Sequence, residues 1–116
     1  MRTEKRGHTH AVLVDGLRLM DAAIFQQDAA LYIIGLGLAT QDRKIGNTRV
    51  FPSYTDEFLE NLHLAGINKS GLLQVISKIC LCDALEVWNM REVTIAACAL
   101  SILRDMIVGT YVETHQ

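Results

Sequence analysis

Apolar side chains recur with helical spacing along most of the chain. From Ala11 to Ala39, positions Leu13, Leu17, Met20, Ile24, Gln27, Leu31, Ile34 and Leu38 are separated by four and three residues in turn, and all but Gln27 are apolar. Such a row occupies one side of a helix, and its step is the one by which knobs on one helix enter holes on another. The polar run Gln26–Gln27–Asp28 interrupts it. The segment therefore reads either as one long helix or as two helices broken at that run. Gly35 and Gly37 each cost a helix about 1 kcal/mol relative to alanine. They either permit a close backbone approach or mark where the helix ends.

The periodicity lapses from Thr40 to Tyr54. Gly46–Asn47 is a turn signal there, and Pro52, the only proline, biases Phe51 away from helix. Thr48–Phe51 is compatible with a short strand, which would leave the fold class unchanged. A helix restarts at Thr55, a capping residue, with Asp56 and Glu57 placing negative charge against the positive helix end. Phe58, Leu59, Leu62 and Ala65 follow on one side, and Gly66 ends it, because glycine accepts the left-handed terminal conformation cheaply. The next helix starts at Asn68 or Ser70 and carries Leu72, Leu73, Val75, Ile76 and Ile79 toward a core.

The last helix has the clearest local signal. Asn89 and Glu92 have capping-box spacing, and Trp88 and Val93 occupy the two positions of a hydrophobic staple. Val93, Ala96, Leu100, Leu103, Ile107 and Tyr111 trace one face, widened by Ala97, Ala99, Ile102 and Met106. So broad an apolar arc is expected to be covered on more than one side. The pattern predicts an all-α fold: one domain over 11–116, a bundle of four to five helices with a long N-terminal helix or helix pair. Residues 1–10 (MRTEKRGHTH) are polar with mixed charge and read as a flexible arm.

Composition adds a surplus to this picture. Of 116 residues, 50% are apolar and 21% charged, which excludes disorder. A mean hydropathy of +0.20 leaves more apolar side chains than a core of this size accommodates. The natural outlet is a second chain, as a homodimer or a protein partner. A net charge of −2 argues against a general binder of nucleic acid or anionic membranes, although Arg2, Lys5 and Arg6 form a local basic cluster. Asp15 and Arg18 interrupt the first apolar stretch, so it is not a signal peptide. Ala29–Ala39 is too short for a bilayer, which takes about 20 residues. Three cysteines make no secreted disulfide framework, and a cytoplasmic location is expected by elimination.

Catalytic chemistry is sparse. The chain has no P-loop, no HExxH and no dinucleotide loop; Gly35-Leu36-Gly37 lacks the third glycine and a preceding strand. His8 and His10, with Cys80 and Cys82, are of the residue types that bind metal, but thiols two residues apart on a helix point roughly 200° apart. Small buried thiols are the simpler account of these cysteines and of Cys98. His63 reads as a partly exposed helix residue, His115 as part of the tail, and Asp83 and Glu86 as solvated carboxylates. No enzyme, metal site or cofactor is expected.

Leu59 to Lys78 (LENLHLAGINKSGLLQVISK) has the form of a helix-turn-helix with Gly66 at its turn. Asn68, Lys69, Ser70, Gln74 and Lys78 would then face DNA, with Leu72 and Val75 buried. The match is partial. Leu62 stands where a small residue is usual, and Asn61 where an apolar one is. Only Lys69 and Lys78 supply charge, with Glu57 and Glu60 nearby. An ordinary helical hairpin accounts for the segment better, and DNA binding is the alternative.

The size, helical pattern, acidic balance and long N-terminal seam followed by TDEFLENLHLAGINKSGLLQVI resemble the small helical antiactivators of bacterial quorum sensing, the QslA-like proteins. Those proteins bind LuxR-type transcription factors and block their dimerisation. The resemblance implies a homodimer that captures the ligand-binding domain of a regulator, but no motif carries family interface residues onto this chain. From the residues themselves, Leu13, Leu17, Met20 and Ile24 are candidates for self-association. Leu59, Leu62, Leu72 and Leu73 are candidates for the partner.

Overall fold

The apolar row of the N-terminal quarter is carried by two helices rather than one. In the computed structural model, backbone is described for residues 2–40, 44–45, 48–49, 55–79 and 87–115, and side chains for 11–40, 56–79 and 87–108. Helix α1 spans Arg2–Gln26 and α2 spans Ala29–Thr40. Between them Gln27 takes a left-handed conformation, with φ +54°. The Asp28 N–H then donates to the Ala23 carbonyl at 2.9 Å, the six-to-one bond of a Schellman closure. Asp28 opens the next helix at once, its Oδ1 accepting from the Leu31 N–H at 3.1 Å. The polar interruption thus both closes α1 and caps α2.

The N-terminal segment departs from expectation. Residues 2–10 were read as an arm, yet their backbone continues α1 upstream of its core-facing positions. Apart from Gly7, nothing in that stretch opposes helix strongly, and a helix already formed from Ala11 onward extends at one hydrogen bond per residue.

Helices α1 and α2 meet backbone to backbone. A Cβ placed on Gly16 would lie 2.6 Å from the Gly35 carbonyl oxygen and 2.7 Å from the Ala39 nitrogen. One on Gly35 would lie 2.6 Å from the Gly16 carbonyl oxygen. Gly35 is therefore present for close approach, with Gly16 as its counterpart. Gly37 differs: a Cβ there would meet nothing within 4 Å.

Strands β1 (Lys44–Ile45) and β2 (Thr48–Arg49) pair antiparallel, Lys44 opposite Arg49 and Ile45 opposite Thr48. So short a hairpin leaves the class all-α. Helix α3 (Thr55–Leu64) ends at Gly66, which has φ +84°, and the Ile67 N–H donates to the Leu62 carbonyl at 2.9 Å. Asn68 caps α4 (Lys69–Ile76), accepting from the Gly71 N–H at 2.7 Å. The sequence allowed Asn68 or Ser70 at this start. Asn68 takes the cap, and the Ser70 hydroxyl donates to it at 2.9 Å.

Helix α5 (Met90–His115) begins with the expected reciprocal box. The Glu92 N–H donates to Asn89 Oδ1 at 2.8 Å, and the Asn89 N–H donates to Glu92 Oε1 at 2.9 Å. The other Glu92 oxygen lies 3.6 Å from Lys78 Nζ, tying the end of the α3–α4 pair to the start of α5.

The core forms where α1, α2, α3, α4 and α5 converge. Leu13, Leu17, Met20, Phe58, Leu62, Val75, Leu100, Leu103 and Ile107 are buried together. Two amphipathic aromatics are fixed within it. The Tyr32 hydroxyl donates to the Ala96 carbonyl at 2.9 Å, and Trp88 Nε1–H donates to the Val75 carbonyl at 2.9 Å. Their rings meet edge to face, with centroids 5.5 Å apart. Burial, with a smaller contribution from Cys98, pushes the Tyr32 hydroxyl above its ordinary range, so it remains a donor.

Candidate functional site

An open apolar concavity lies between α2, α3 and α4. It is a groove of about 210 Å³ to which α2 contributes Leu36 and Thr40, α3 contributes Phe58 and Leu59, and α4 contributes Lys69, Leu72, Leu73 and Ile76. Burial sorts these side chains by depth. Phe58 and Leu72 are buried and form the floor, while Leu36, Leu59 and Ile76 are half-buried walls. Leu73 is 49% exposed at the rim. The helical spacing of α4 places Lys69, Leu72, Leu73 and Ile76 along one side, which is why a single short helix supplies half of the lining.

Polar groups in the groove are few. The Thr40 hydroxyl donates back to the Leu36 carbonyl at 2.7 Å, as threonine commonly does within a helix. Lys69 is exposed and supplies the only charge among the described lining residues. Beside the groove, α2 carries no charged residue at any position. On its outward side Ala30 and Gly37 are exposed, and Ile34 is 56% exposed. An uncharged helix with an uncovered side is unusual for a surface helix, which ordinarily turns polar residues outward.

The structure separates the residues expected to bind a partner. Leu59 and Leu73 reach the groove from its wall and rim, and Leu72 reaches it from the floor. Leu62 does not take part: it is 1% exposed and belongs to the core. The self-association seam is corrected more fully. Leu13, Leu17 and Met20 are buried within one chain, and Ile24 is half-buried against the same core. The row is real, but α2 and α5 of the same chain cover it, leaving these side chains little to offer a second copy.

The residues expected to face DNA do not assemble a basic surface. Asn68 and Ser70 are engaged at the α4 cap, and Lys78 is paired with buried Glu92. Lys69 and Gln74 are exposed on α4. The order helix, left-handed glycine, helix is present, but one of its two cations is neutralised by the chain itself, which weakens phosphate binding.

For the metal constellation, the side chains of His8 and His10 and the whole of Cys80 and Cys82 lie outside the described residues, as do Asp83 and Glu86. Among the described residues no three His, Cys, Asp or Glu side chains gather as a metal site. Cys98 is a half-buried free thiol and His63 is exposed.

The sequence reading missed Leu36, Phe58 and Ile76 as groove residues. The available signal was the absence of charge all round α2, which marks a helix with more apolar surface than one neighbour covers. Among the described residues no helix is long and apolar enough to cross a membrane. No protein-family model, curated protein or solved structure matches the chain.

Proposed function

We propose that this chain is a non-catalytic regulatory protein that acts by binding another protein through the groove between α2, α3 and α4. The observation that carries the reading is the composition of that groove. Six of its eight described lining residues are large and apolar, and they grade from a buried floor to the half-exposed Leu73. A solvent-facing concavity of this kind gains by being covered, and a partner's apolar anchors are what would cover it.

The resemblance to QslA-like antiactivators supports a more specific form of the proposal. The partner is a LuxR-type transcription factor in the cytoplasm, and capture of its ligand-binding domain blocks its dimerisation. In this form the chain acts as a homodimer. With the α1 row occupied internally, the outward side of α2 around Ala30, Ile34 and Gly37 is the surface for a second copy.

The test is capture of a purified LuxR-type ligand-binding domain by the tagged chain, compared with Leu73→Glu. Capture by the natural chain and its loss in the variant, at unchanged helical circular dichroism, is the expected result. Capture that survives Leu73→Glu removes the groove from the interface. Salt-sensitive retardation of DNA that disappears in Lys69→Ala would instead support the helix-turn-helix alternative.

A further inference from the structure

Resting on the reading of the groove as a docking face, we infer that its occupant is an amphipathic helix carrying a carboxylate that meets Lys69. The first argument concerns the backbone. Every described lining residue belongs to α2, α3 or α4, and helical backbone is hydrogen-bonded within itself. The walls therefore present side chains, nearly all apolar. An extended peptide laid there would bring main-chain N–H and C=O groups against surfaces unable to pair them, and each buried unpaired group is costly. A helix satisfies its own backbone and presents only side chains, which is the mode apolar grooves of this type receive.

The second argument is charge. Lys69 is exposed at the groove, and no carboxylate is among the described lining residues. Asp56, Glu57 and Glu60 of α3 are exposed but do not line it. Among the described residues the ion pairs are Asp15 with Arg18 and Glu92 with Lys78, so Lys69 has no acidic partner there. A chain of net charge −2 thus places one positive side chain at this docking site, which favours a carboxylate on the visitor at that point and disfavours a lysine there. Length agrees with this. From Lys69 to Ile76 the groove follows about two turns of helix, enough for anchors at i, i+3, i+4 and i+7.

The test uses three labelled model peptides and the full chain, read by fluorescence anisotropy. The first is an amphipathic helix with leucines at i, i+3, i+4 and i+7 and one flanking glutamate. The second has lysine in place of the glutamate, and the third is the first broken by a central proline. The glutamate peptide is expected to bind tighter than the lysine peptide by on the order of fivefold. Lys69→Glu is expected to reverse that order, and the proline peptide to lose binding. Equal binding by the proline peptide, or an order unchanged in Lys69→Glu, overturns the inference. If no peptide binds while capture of the protein partner still depends on Leu73, the inference fails and the groove reading stands. If capture ignores Leu73, the groove reading itself falls.

Discussion

The two sides of α2 are made from the same kinds of residue and meet opposite fates. On one side Gly35 lies against the backbone of α1, Ala39 is buried beside Gly16, and Tyr32 bonds to α5. On the outward side Gly37 faces open space and Ile34 is exposed, while Leu36, between the two sides, looks into a groove. A glycine two residues away from another is thus a packing requirement in one case and a weakness in the other. The difference shows that absence of charge on a helix marks surplus apolar surface without saying which side a neighbour will use.

Substitutions on the two sides should break the symmetry in opposite directions. The largest effect is expected for Gly35→Ala. Its Cβ would stand 2.6 Å from backbone oxygen on α1, so the helices must separate, and urea unfolding should register a loss of about 3 kcal/mol. A loss near zero would mean that the crossing is looser than the geometry requires.

Tyr32→Phe on the same side should cost about 1 kcal/mol through the lost bond to Ala96. It also has a pH signature. The folded hydroxyl titrates above its unfolded value of about 10. Stability from this neutral group is therefore full below that value and falls as pH rises above it, because the unfolded state releases the proton first. In Tyr32→Phe that part of the alkaline loss should vanish from the stability–pH curve.

Gly37→Ala, on the open side, should stabilise the fold of the single chain by about 0.5–1 kcal/mol, since alanine is the better helix former and its methyl group meets nothing within that chain. Destabilisation would indicate that the second copy proposed for this side packs closely against Gly37 itself. The smallest effect on folding belongs to Leu73→Glu, within about 0.5 kcal/mol as an exposed surface change. That near-neutrality is what makes its effect on capture interpretable.

How far each feature could be read in advance follows from how local its cause is. The Asn89–Glu92 box was legible because its partners stand three residues apart and each side chain bonds to the other's backbone. The break at Gln27–Asp28 was legible as a polar interruption, although the left-handed φ at Gln27 was not, since glutamine seldom adopts it. The groove was half legible. Leu59, Leu72 and Leu73 stood out as anchors, whereas Leu36, Phe58 and Ile76 join them only because three helices converge. The row Leu13, Leu17, Met20 and Ile24 was plain, but its covering helices belong to the same chain and not to a second copy.

By itself the sequence determined the all-helical class, the caps and breaks, and the surplus of apolar surface on α2. Each is a property of one segment: its period, its end residues, its lack of charge. The tertiary structure alone decided which apolar rows are covered and which remain open. Covering depends on what stands opposite, and the contact of Gly16 with Gly35 commits one side of α2 to α1 while leaving a flank at Leu36 and Thr40 to the groove and the side of Ala30, Ile34 and Gly37 to solvent.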